Sequence, residues 1–146
     1  MENPAGAQNG WQVFAIGSAV FAAATTILGK LGVAEVNSNL ATLIRTMVIV
    51  AFTAFLITVR GEWEPASRLS RYGITMLVLS GIATGVSWLC YYRALQMAPA
   101  SQVAPVDKLS VAIVIIFAVV FLGEPLSWKT AVGGTLIVIG VVMLAS

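Results

Sequence analysis

Five stretches of at least 14 residues carry no charge: 11–29, 46–59, 72–92, 109–123 and 130–146. A membrane-spanning helix needs about 20 mostly apolar residues. The second run reaches that length only by extending back through Arg45 to Asn39. The fourth does so only by extending back through Lys108 and Asp107 to Val103. The pattern therefore predicts spans at 11–31, 39–59, 72–94, 103–122 and 128–145, two of them carrying charge. The predicted fold class is an all-α integral membrane protein with five transmembrane helices. It forms one domain over 1–146, with connections too short for an extramembrane domain.

Turn and capping residues fall between these spans. Asn37, Ser38 and Asn39 offer capping oxygens to the second helix. The polar stretch 61–70 contains Pro65 and alternating charges, Pro99 closes the third helix, and Ser127 is placed to cap the fifth. Trp11, Trp63, Tyr72 and Trp128 fall at predicted interfaces, where amphipathic rings prefer to sit. Residues 1–10 contain no Lys or Arg, so the first span does not resemble a cleaved signal peptide.

At helical spacing the few polar residues form stripes. Ser18, Ala22, Thr25 and Gly29 align on the first helix. Ser38, Thr42, Arg45 and Thr53 align on the second, and Ser80, Thr84, Ser87 and Tyr91 on the third. Gly133 and Gly140 share a face of the fifth. Such stripes fit either a polar cavity or simple close packing of membrane helices, which favours small and hydroxyl residues.

Composition agrees with a membrane protein and narrows the chemistry. Of 146 residues, 59% are apolar and only 10% charged, too few to cover a water-soluble globule. The absence of His excludes His-based acid–base catalysis and His metal ligation. A single cysteine, Cys90, makes no intramolecular disulfide. The net charge of +2, without a basic run, gives no reason to expect nucleic acid as a partner. No nucleophile–base pair, phosphate-binding loop or metal box is visible, so neither an enzyme nor a cofactor is expected.

The charges cluster. Traced span by span, Lys30, Glu35, Arg45, Arg93, Asp107 and Lys108 fall on one side of the membrane, here called the far side. Ionisable groups inside a membrane are costly and usually face a bundle interior or a watery cavity. Asp107 is the only acid predicted within a span. Adjacent helical residues do not face each other, so Arg45 or Arg93 is expected to pair with it rather than Lys108. Lys30, Arg93 and Lys108 also have stems long enough to reach the interface.

Several segments are similar to the EamA family of the drug/metabolite transporter superfamily: Trp88 to Met97, Ala98 to Ser110 with its Pro105-Val106-Asp107-Lys108 run, Phe121 to Pro125, and Ser38 to Thr46. The run from Ala104 to Ser110 is the more specific match, and it resembles the single-repeat, five-helix bacterial and archaeal branch. Larger relatives carry two five-helix repeats of opposite orientation, so the resemblance implies one half of a ten-helix inverted-repeat fold. It also implies a secondary transporter, an exporter of small metabolites, working in the inner (cell) membrane. Four-helix multidrug relatives use a membrane-embedded Glu in the first helix. Here the span 13–29 has no acid, so that mechanism does not transfer.

The expected substrate-contacting residues are Ser18, Thr25, Thr42, Arg45, Thr84, Ser87, Trp88, Tyr91, Arg93, Asp107 and Lys108. The expected partners are a small polar solute, the lipid bilayer and a second copy of the chain. Gly133 and Gly140 form the expected dimer interface, and antiparallel pairing would imitate the inverted repeats. Arg60, Arg68, Arg71 and Lys129 outweigh Lys30 across the membrane, but adding Arg45, Arg93 and Lys108 evens the two sides. Orientation is therefore weakly specified. The rival class is a non-transporting scaffold, or a subunit of a hetero-oligomeric transporter, in which the charges are structural pairs.

Overall fold

The computed structural model describes residues 4–145. Six α-helices follow one another: α1 (Pro4–Glu35), α2 (Ser38–Arg60), α3 (Arg71–Met97), α4 (Ala100–Asp107), α5 (Leu109–Leu122) and α6 (Trp128–Ala145). A short 3-10 turn, Ala66–Arg68, lies between α2 and α3. Helices α4 and α5 are collinear in sequence and together make one membrane crossing, so five segments are long and apolar enough to span a bilayer. This is the fold class the apolar pattern predicts. The first helix begins at Pro4, ahead of its apolar run.

Helix ends follow local chemistry. The Asn37 side chain accepts from the Asn39 amide at 2.9 Å. Ser127 Oγ accepts from the Thr130 amide at 3.0 Å, as an N-cap does. At the end of α2, Gly61 adopts φ 65°, and the amides of Gly61 and Glu62 return to the carbonyls of Thr58 and Ile57. That left-handed position favours glycine.

The fourth span was expected to be one continuous helix, and the structure breaks it at Lys108 (φ −71°, ψ −6°). Around the break the backbone bonds tighten to three-residue steps, from the Lys108 amide to Pro105 O at 2.9 Å and from the Val111 amide to Lys108 O at 3.0 Å.

Packing is uneven along the molecule. Helix α3 lies against α1, α2 and α4, whereas α5 packs on α6 and α4, and α6 reaches back to α4. Among the described residues, the α5–α6 hairpin therefore joins the α1–α3 bundle through α4. The buried core is a small cluster of Val33, Tyr92, Leu95 and Val103 at the far side. Most large apolar side chains are exposed on the isolated chain, from Phe14 to Leu144. Lipid tails are as apolar as leucine, so nothing drives these side chains inward.

Two polar side chains lock the far end. Lys30 Nζ donates to the carbonyls of Leu95 and Ala98 (2.9 Å for the latter), which end α3. In return, Gln96 Nε2 donates to Val33 O and Val36 O, both at 3.1 Å, at the end of α1. Each helix thus supplies a donor to the other's terminal carbonyls, which lack intrahelical partners. Lys30 does not simply extend to the interface.

Candidate functional site

Above this lock, α1, α2, α3 and the α4–α5 break line a half-open cavity of about 210 Å³. Helix α1 contributes Ala22, Thr25 and Thr26, and α2 contributes Arg45. Helix α3 contributes Ser87, Trp88 and Tyr91, and the break contributes Asp107 and Lys108. Its polar character comes from the stripes on three helices and from charges carried within apolar spans.

Arg45 is held between aromatic rings. Its guanidinium carbon lies over Trp88, 4.1 Å from the ring centroid, and 5.6 Å from that of Tyr92. Arg45 Nη1 donates to Tyr92 Oη at 3.2 Å. Such cation–π contacts strengthen as water is removed. Tyr92 is itself fixed, 4% exposed, within the core cluster. Its ring sits so close to Gly29 that a β-carbon there would lie 2.7 Å from Tyr92 Cε1. Glycine at 29 therefore lets α3 approach α1 and sets Tyr92 beneath Arg45. The neighbouring Tyr91 hydroxyl shares a 2.8 Å hydrogen bond with Thr26 Oγ1, which tethers the cavity wall to α1.

Asp107 does not pair with Arg45 or Arg93, as was expected. Its partner is Lys108, at 3.1 Å. The rule that adjacent residues diverge assumes a regular helix. Here the backbone leaves helical geometry at Lys108, and the long lysine stem folds back to the carboxylate. Arg93 lies outside the cavity, exposed, with Nη1 3.4 Å from Gln96 Oε1.

Of the residues predicted to contact solute, Thr25, Arg45, Ser87, Trp88, Tyr91, Asp107 and Lys108 come together around this cavity. Ser18, Thr42, Thr84 and Arg93 are not part of its lining. The Thr42 and Thr84 hydroxyls return to carbonyls of their own helices, Ser38 O at 2.8 Å and Ser80 O at 2.9 Å. Ser18 is exposed. Thr26 and Tyr92 were not anticipated. Thr26 shares a helical face with Ala22 and Lys30 at steps of four, a usable signal. Tyr92 is distinguished only by its packing.

A second cavity of about 430 Å³ shares the Ser87, Tyr91 and Asp107 wall. Its other walls are largely apolar, including Cys90, Ala94 and Val103. On α6, the predicted glycine face is open: a β-carbon at Gly133 or Gly140 would meet nothing within 4 Å. The intrachain contact is made by Gly134, where a β-carbon would lie 3.0 Å from Ile115 Cδ1.

Comparison with known proteins places this architecture. The sequence profile of the EamA-like transporter family matches residues 9–146. An uncharacterized transporter in the cobO 3′ region of Sinorhizobium sp. is 47% identical over 135 residues, covering 92% of this chain and 96% of that protein. Solute carrier family 35 member G1 of Homo sapiens is 33% identical over 127 residues, which span 86% of this chain and 33% of that larger protein. No solved structure gave a significant match.

Proposed function

The chain belongs to the EamA-like transporter family, a family of membrane transporters, and we propose that it exports a small polar metabolite across the inner (cell) membrane. The observation that carries this proposal is the 210 Å³ cavity, where four stretches of the chain bring Arg45, Asp107 and Lys108 together inside apolar spans. Solute would contact these charges along with Thr25, Ser87, Trp88 and Tyr91. The hairpin connected through α4, and the helix break beside the cavity, support movement by alternating access. Vesicles containing the purified protein and loaded with a cytosolic small-molecule extract test this proposal. Release of a specific solute above protein-free vesicles is the expected result. No difference would favour a scaffold.

The working unit is a homodimer in this proposal. Gly133 and Gly140 leave the α6 surface open for close backbone approach by a second copy, which lipid alone would not drive. Gly133→Leu with Gly140→Leu is expected to shift the detergent-solubilised protein from dimer to monomer, read by light scattering on a sizing column. An unchanged dimer would reject this face.

Antiparallel pairing would let two copies reproduce an inverted repeat, and the even distribution of Lys and Arg permits it. Ser67→Cys in a Cys90→Ala background reports orientation through an impermeant thiol reagent on spheroplasts. About half labelling before lysis is expected from two equally populated orientations. Labelling on one side alone would exclude antiparallel pairing.

A further inference from the structure

We propose that the solute held in the 210 Å³ cavity carries an oxyanion, a carboxylate or a phosphate, and that Arg45 binds it. The inference rests on this cavity being the transport site. Three charged residues line it, Arg45, Asp107 and Lys108. Asp107 and Lys108 pair at 3.1 Å and cancel. Among the described residues, the other ion pair is Arg60–Glu62, at the opposite end of α2, so Arg45 has no carboxylate within ion-pair distance. The cavity therefore carries one uncompensated positive charge inside the membrane. Such a charge is costly, and a bound anion supplies the missing counter-charge. A cationic solute would be repelled, and a neutral one would leave the guanidinium unpaired.

Geometry points the same way. Guanidinium offers five N–H donors in a rigid plane. The Trp88 ring lies against it, with its centroid 4.1 Å from Cζ, and Tyr92 Oη takes a bond from Nη1. These contacts hold the guanidinium in place while that hydrogen bond uses one of its five N–H donors. A planar fork of this kind matches the paired oxygens of carboxylate or phosphate. The cavity of about 210 Å³ has room for a small anion.

The test is the thermal midpoint of the solubilised full chain with butyrate, butyramide, butylammonium or inorganic phosphate, at matched ionic strength. A ligand that binds the folded form raises that midpoint through mass action. Saturable stabilisation by butyrate, by phosphate or by both is expected, with none from the amide or the ammonium. Stabilisation by one anion alone identifies which oxyanion the site takes. Arg45→Lys should weaken the effect and Arg45→Gln remove it. If the glutamine variant does not fold, the wild-type series decides alone. Equal stabilisation by butyramide or butylammonium, or no saturable effect of either anion, would overturn the proposal. The same compounds, radiolabelled in vesicles, separate the two claims. Anion binding without flux keeps the anion site at Arg45 and removes the transport role. Flux of butylammonium or butyramide equal to that of butyrate keeps the transport role and removes the anion.

Discussion

Replacing Arg45 with glutamine is expected to lower solute flux at limiting concentration by about 10- to 150-fold. A hydrogen bond to a charged group contributes about 1.5–3 kcal/mol, and each 1.4 kcal/mol is about tenfold in affinity. The substitution also removes the cation from the Trp88 face and the donor from Tyr92 Oη. Arg45→Lys should fall between wild type and glutamine, since it keeps the charge but not the planar fork. Initial rates in loaded vesicles measure this, with circular dichroism and column elution confirming that each variant is folded. A glutamine variant with wild-type flux would remove Arg45 from the site.

The second large effect is expected at an uncharged position, Gly29. Gly29→Leu would place its β-carbon 2.7 Å from Tyr92 Cε1, in a cluster where Leu95 is fully buried. Forcing extra atoms into a packed core costs about 1–3 kcal/mol. Tyr92 cannot retreat without disturbing Val33 and Leu95, and its hydroxyl would leave Arg45. Both a lower thermal midpoint and a loss of flux are therefore expected. Gly32→Leu, one turn further along α1, is the control, because a β-carbon there meets nothing within 4 Å. It should leave the thermal midpoint unchanged. Equal effects from the two substitutions would mean that the Gly29–Tyr92 contact does not position Arg45.

These two predictions differ in how far the sequence reveals them. Arg45 and Asp107 are visible because a charge in an otherwise apolar span is expensive and needs a reason. The helical stripes brought Thr25, Ser87 and Tyr91 onto cavity-facing positions for the same kind of reason, a 3.6-residue period. The stripes ran past the cavity because periodicity fixes a face and not a depth. Ser18, Thr42 and Thr84 share the faces but not the level, and threonine hydroxyls satisfy themselves on their own helix carbonyls. The Asp107–Lys108 pair departs from the regular-helix rule because the helix breaks at Lys108. Tyr92, Gly29 and the reciprocal Lys30 and Gln96 bonds depend on how α1 and α3 meet, which no local pattern encodes.

Membrane solvation explains why the fold was more legible than the site. Five apolar segments must each cross the bilayer as helices, since every backbone group has to be satisfied internally. That constraint leaves the helix-to-helix register open, and register decides which side chains share a cavity. Arg45 reaches its place through two contacts, with Trp88 and Tyr92, four residues apart on one helix.

The most direct measurement compares solute release from loaded vesicles containing wild type, Arg45→Gln or no protein. The account predicts saturable release of an anionic solute by wild type, with the glutamine variant close to the protein-free rate. Wild-type release no faster than protein-free vesicles, or equal release by wild type and Arg45→Gln, would contradict it.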